Sequence, residues 1–181
     1  MENYHHIVWV THNSRISERM IIFKVSRGEA LILSDADEVE IANYIFQVSD
    51  KINIKVCSIN ICKDHIHMLI NANNKDISQI MKSIKGKTTH LYKKNHNIDY
   101  SYSLWAQKYF SEKIKNESHF TNVIEYIENN RNKHELPRNI ELEKTIYRYK
   151  DSHQMDSHQQ GVATPCFRCR ASDGGNDKDE E

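Results

Sequence analysis

With 181 residues the chain is long enough for one ordinary domain with a substantial core and some length to spare. Lysine plus arginine equal aspartate plus glutamate at 25 each, so net charge alone points to no partner. The four cysteines (Cys57, Cys62, Cys166, Cys169) form no disulfide framework of the small secreted kind, the polar start has no signal-peptide pattern, and no apolar run approaches the roughly 20 residues of a membrane span, so a reduced, cytoplasmic chain is expected.

Taken in chain order, residues 5–11 read as a strand around the short apolar run Ile7, Val8, Trp9, Val10. Residues 20–25 and 30–33 could form two strands of a hairpin around Arg27-Gly28. A helix then runs to about residue 50, capped by Asp35 or Asp37, with Val39, Ile41, Ala42, Ile45, Phe46 and Val48 at helical spacing. Residues 53–62 alternate, with Ile54, Val56, Ser58, Asn60 and Cys62 on one face and Lys55, Cys57, Ile59 and Ile61 on the other, and residues 65–71 form a second strand across the turn Lys63-Asp64. A long amphipathic helix covers about 76–94, interrupted by Gly86. A final strand is expected over 103–109, and Ser118 is expected to cap a helix to about 130 that buries Phe120, Val123, Ile124 and Ile127.

The order strand, helix, strand, strand, helix, strand predicts an α+β fold. It is a ferredoxin-like split β-α-β antiparallel sheet with helices on one face, followed by a further helix that carries Tyr126. Residues 1–150 are read as the domain and 151–181 as a disordered polar and acidic tail. Charge divides accordingly: the tail holds seven acidic and three basic residues, and the first 150 hold 22 basic and 18 acidic. Residues 78–115 carry eight lysines against Asp99 and Glu112, a run that a solvated helix face alone would explain.

Residues i and i+2 of a strand point the same way, so His65 and His67 project together and can ligate one divalent cation. Two polar residues on a half-exposed strand give the same pattern. On the last helix Tyr126 lies off the apolar stripe, and Asn130 sits one turn further along. A surface tyrosine would look the same.

In combination these elements resemble the single-tyrosine HUH transposases, and within them the REP-associated tyrosine transposases and the small IS200-like transposases of bacterial insertion sequences. The resemblance spans about residues 4–138. It is carried by Tyr4-His5-His6-Ile7-Val8-Trp9-Val10-Thr11, by Asp64-His65-Ile66-His67-Met68-Leu69-Ile70, and by Tyr126-Ile127-Glu128-Asn129-Asn130. It implies that His65 and His67 hold a divalent metal (Mg2+ or Mn2+) with Asn130 as third ligand, and that Tyr126 is the nucleophile. The implied reaction cuts and rejoins single-stranded DNA, often at a hairpin, through a covalent 5′-phosphotyrosine. Lys82, Lys85, Lys87, Lys93 and Lys94 could then track the DNA backbone. Trp105, Tyr109 and Tyr92 fit a core better than a stacking platform. Many relatives have Pro-Asn before the first histidine, where this chain has Lys63-Asp64, and residues 15–33 match poorly. The family also implies a bacterial, nucleoid-associated enzyme, either monomeric or a homodimer. Three alternatives stay open: a relaxase or replication-initiator nickase, a domesticated hairpin-binding protein without catalysis, and an unrelated metal site at Cys166-x-x-Cys169.

Overall fold

Alternation along the strands decides which side of the sheet does what. The computed structural model describes residues 3–158 apart from 17, 27 and 100. Four strands, β1 (Tyr4–Val10), β2 (Lys55–Ile61), β3 (His65–Asn71) and β4 (Phe110–Lys113), form one antiparallel sheet in the order β2-β3-β1-β4. The helices are α1 (Glu18–Ile22), α2 (Asp35–Lys51), α3 (Ile77–His96), α4 (Glu117–Glu128), α5 (Asn130–Lys133) and α6 (Ile140–His158). The β1-α2-β2-β3-α3-β4 core is the expected split β-α-β arrangement. None of the described helices is long and apolar enough to cross a membrane.

Ile7, Trp9, Ile59, Ile61, Ile66, Met68 and Ile70 point to one face, where α2 and α3 cover them with Ile41, Ile45, Ile80, Met81 and Ile84. Burying each such side chain stabilises the fold by about 1.5–3 kcal/mol. The opposite face carries His6, Val8, His65, His67 and Leu69. There α4 lies over β2 and β3, burying Val123 and Ile127 against Leu69 and Ile114. A one-residue slip of β3 would exchange its histidines with its core residues, so the apolar face holds the histidines outward.

Several local expectations are corrected. Residues 20–25 and 30–33 are not a hairpin: α1 occupies the first, and the second only returns past residue 12, with Leu31 N–H donating to His12 O. Ile21, Ile22 and Phe23 stay exposed because no strand is there to cover them. The last strand lies later than expected. Leu104 and Trp105 are apolar because they plug the core beside α3, meeting Thr11 just past β1 by one isolated bridge, while β4 itself (Phe-Ser-Glu-Lys) is a mostly polar edge whose one apolar residue, Phe110, is exposed. Ser34, in a capping box with Asp37, caps α2, and Asn116 caps α4, its side chain accepting from His119 N–H at 2.8 Å. Helix α6 was not anticipated and continues past Lys150 to His158, so the reading of 151–158 as disordered does not hold. Leu142 and Tyr149 anchor it, the Tyr149 ring stacking on Phe46 at 3.9 Å. Residues 159–181, with Cys166 and Cys169, lie outside the described residues.

Candidate active site

Three elements meet on the second face. Strand β3 presents His65 and His67, buried and on the same side. The end of α4 presents Tyr126, 39% exposed, with its ring centroid 5.2 Å from that of His67 and 6.1 Å from that of His6. At Asn129 the helix breaks, and Asn130 opens the short α5 fully buried. The break turns Asn130 inward, so that its Oδ1 lies 2.9 Å from His65 Nε2. Asn60 holds the junction by donating from Nδ2 to Ile127 O at 2.8 Å.

Each histidine is fixed by its other nitrogen. His65 Nδ1 lies 2.6 Å from Asp64 Oδ1, and Arg15 holds Asp64 from the far side at 3.2 Å. His67 Nδ1 lies 3.0 Å from His6 Nε2, which leaves His67 Nε2 facing away from that pair. Burial disfavours the charged form of His65, but bonds to Asp64, Cys62 and Asn130 outweigh it and push its pKa up to about 9. Burial, together with the positive charges of His65, His6, His134 and Lys133, pushes His67 down to about 3, so it stays a neutral imidazole with a free lone pair. Lys133 Nζ sits 3.9 Å above the Tyr126 ring, and the His134 ring packs against His65 at 4.7 Å.

Imidazole and amide-oxygen donors of this kind are able to hold a divalent cation. His65 Nε2 and Asn130 Oδ1 lie 2.9 Å apart in hydrogen-bond contact, a spacing also close to the ~3 Å between adjacent donors of an octahedral ion. Asp64 on Nδ1 is the carboxylate partner that commonly fixes the ring of a metal-bound histidine. A second cluster, Asp37, Glu40 and His96, also brings three potential ligands together. Its carboxylates are committed to capping α2 and tying it to α3: Asp37 accepts from Ser34 and Tyr92, Glu40 from Tyr44, Asn95 and His96.

The structure thus brings together His65, His67, Tyr126 and Asn130. It does not bring the five lysines to them. Lys82, Lys85, Lys87, Lys93 and Lys94 all lie on α3, across the sheet from the histidines. Lys82, Lys85 and Lys93 line a groove of about 540 Å³ with Tyr102, Trp105 and Tyr109. Lys85 Nζ is spent on the carbonyls of Ala106 (2.7 Å) and Gln107 (2.8 Å). Sequence reasoning gave no role to His6, Asp64, Cys62, Lys133 or His134. The signal for His6 was its place in a strand that pairs with β3: Val8 stands opposite His67, so His6 is its diagonal neighbour.

The family model described as "Transposase IS200 like" matches residues 2–130, and the chain belongs to that family of transposases. Among solved structures, a candidate transposase from Deinococcus radiodurans R1 aligns with a TM-score of 0.50 and 16% identity, over 71% of this chain and 91% of the other. A REP-associated tyrosine transposase bound to a REP hairpin aligns with a TM-score of 0.51 and 15% identity, over 74% of this chain and 70% of the other. Both are likenesses of fold. No curated protein matches the sequence.

Proposed function

We propose that this transposase cleaves and rejoins single-stranded DNA through a 5′-phosphotyrosine on Tyr126, with a divalent metal held by His65, His67 and Asn130. The observation that carries the reading is the convergence of His65 Nε2 and Asn130 Oδ1 at 2.9 Å beside the half-exposed Tyr126. When bound, the cation withdraws charge from a non-bridging phosphate oxygen and orients the diester. The protein supplies the rest. Asp64 and His6 hold the two imidazoles in place, and burial keeps His67 neutral and able to donate a lone pair.

Tyr126 Oη gives up its proton to solvent and attacks phosphorus; the new bond is P–O(Tyr126), and the bond to the 3′-oxygen breaks. That oxygen leaves as a 3′-hydroxyl after taking up a proton. The phosphotyrosine keeps the energy of the broken diester, so a second 3′-hydroxyl can reverse the step without ATP. Lys133, stacked over the ring, limits where the phenol can swing. Residues 1–150 act as the catalytic unit. The hairpin-bound structural relative supports DNA with a hairpin as the substrate form.

The test incubates the full chain with labelled single-stranded DNA from the flanks of its own gene, with Mn2+ or Mg2+, and resolves the products on a denaturing gel. A covalent adduct that is lost with chelator and in His65→Ala is expected. Hairpin binding without any adduct would replace this reading by that of a non-catalytic binding protein.

A further inference from the structure

The helix break at Asn129 that turns Asn130 inward also sets the start of α5, so Lys133, three residues on, lies on the same side of that turn. Its Nζ stands 3.9 Å over the Tyr126 ring, and its charge is among those that keep His67 neutral. Neighbouring cations are spent on carboxylates: Arg131 on Glu38, Arg138 on Glu143, and Lys150 on Glu128. Lys133 is exposed and has no carboxylate partner among the described residues. Asp64, the carboxylate against His65, is already matched by Arg15. An unpaired ammonium with three N–H donors therefore stands over the half-exposed phenol, on the side from which a substrate must reach it.

We propose that Lys133 is a phosphate-binding residue of the reaction, its ammonium donating to a non-bridging oxygen of the very diester that Tyr126 attacks. The inference rests on the reading of Tyr126 as the nucleophile. A phosphorus poised for attack lies about 3–3.5 Å from the attacking oxygen, so its non-bridging oxygens fall beside the ring that Lys133 covers. The flexible four-carbon stem lets Nζ leave the ring face for that oxygen. The diester's negative charge repels the incoming electron pair of Tyr126 Oη, and a charge-assisted N–H···O bond of about 2.7–2.9 Å offsets that repulsion. Lys133 keeps its proton throughout and acts as neither acid nor base. The second non-bridging oxygen is left for the side on which the histidines stand.

The test locates the cut linkage on single-stranded DNA from the flanks of the gene, then compares adduct formation at saturating DNA with Mn2+ for the full chain, Lys133→Met and Lys133→Arg. Lys133→Met is expected to slow the step about 100-fold. Lys133→Arg, which keeps the charge, is expected to stay within about tenfold of the unaltered chain. Mn2+ affinity by calorimetry is expected not to fall in Lys133→Met, because losing a nearby cation removes only repulsion. The same DNA is then made with a methylphosphonate at the cut linkage, in each stereoisomer, so that one non-bridging oxygen and its charge are gone. The isomer lacking the oxygen that faces Lys133 is expected to react with the unaltered chain and with Lys133→Met at rates within about threefold of each other. A rate for Lys133→Met within about threefold of the unaltered chain on the ordinary diester would overturn the proposal. So would an equal loss on the diester and on both methylphosphonates, which would make Lys133 a prop for the ring. An unaltered chain that cuts neither isomer would overturn it too, since a linkage without that charge needs no cation there. No adduct from the unaltered chain on the ordinary diester would overturn the reading of Tyr126 together with it.

Discussion

Replacing Arg131 with methionine is expected to destabilise the protein by about 3–5 kcal/mol, because it strands a buried carboxylate. Arg131 Nη1 donates to Glu38 at 2.7 Å and to Ile61 O at 3.0 Å, while its Nε and Nη2 donate to Pro137 O. Glu38 is 0% exposed. Among the described residues, its carboxylate without Arg131 keeps Asn139 at 2.9 Å and the half-exposed Lys63 at 3.6 Å. Against a typical total of about 5–15 kcal/mol, that is a third or more of the stability. The double variant Arg131→Met, Glu38→Leu removes the stranded charge and is expected to recover at least about half of the loss. Urea unfolding followed by circular dichroism measures all three variants. A loss below about 1 kcal/mol for Arg131→Met, or a double variant no more stable than the single one, would refute the reasoning.

Asp64→Ala removes the carboxylate from His65 Nδ1 and should weaken Mn2+ binding about 10–100-fold by calorimetry; an unchanged affinity would mean that Asp64 does not orient the ring. Gly86→Ala places a Cβ where nothing lies within 4 Å, so it should stabilise helix α3 by up to about 1 kcal/mol in the same unfolding assay, and a destabilisation would contradict the open groove. Asp37 is held below the usual carboxylate range: burial opposes this, and bonds from Ser34 and Tyr92 with the nearby His96 outweigh it. A depressed folded pKa contributes stability that is present above the unfolded value of about 4 and fades as pH falls through the folded one. Asp37→Asn should therefore narrow the stability difference between about pH 6 and about pH 3, and an undiminished difference would show that this carboxylate is not part of the acid response.

Much of this was legible because two periodicities dominate. The alternation of β3 between Ile66, Met68, Ile70 and His65, His67 told which face holds the core, and the stripe Val123, Ile127 left Tyr126 outside. The convergence of Asn130 on His65 depends on a helix break at Asn129 that helical spacing does not encode. Strand β4 was displaced because Leu104 and Trp105 are apolar for packing reasons, the Trp105 indole N–H donating to Thr88 Oγ1 at 3.0 Å, while the strand proper is a polar edge. Helix α6 has an apolar stripe of its own in Leu142, Ile146 and Tyr149, a signal obscured by the polar residues that follow from Lys150. The lysines of α3 were read without regard to the face of the sheet, and three-dimensional placement sets them apart from the histidines.

The central claim concerns one oxygen atom, and the most direct measurement identifies the residue that becomes joined to DNA. Adduct formed on single-stranded DNA in the presence of Mn2+ is digested with nuclease and protease, and the modified peptide is sequenced by mass spectrometry. The account predicts a nucleotide 5′-phosphate on Tyr126, with no adduct in Tyr126→Phe. A nucleotide on any other residue, or an adduct undiminished in Tyr126→Phe, would contradict it.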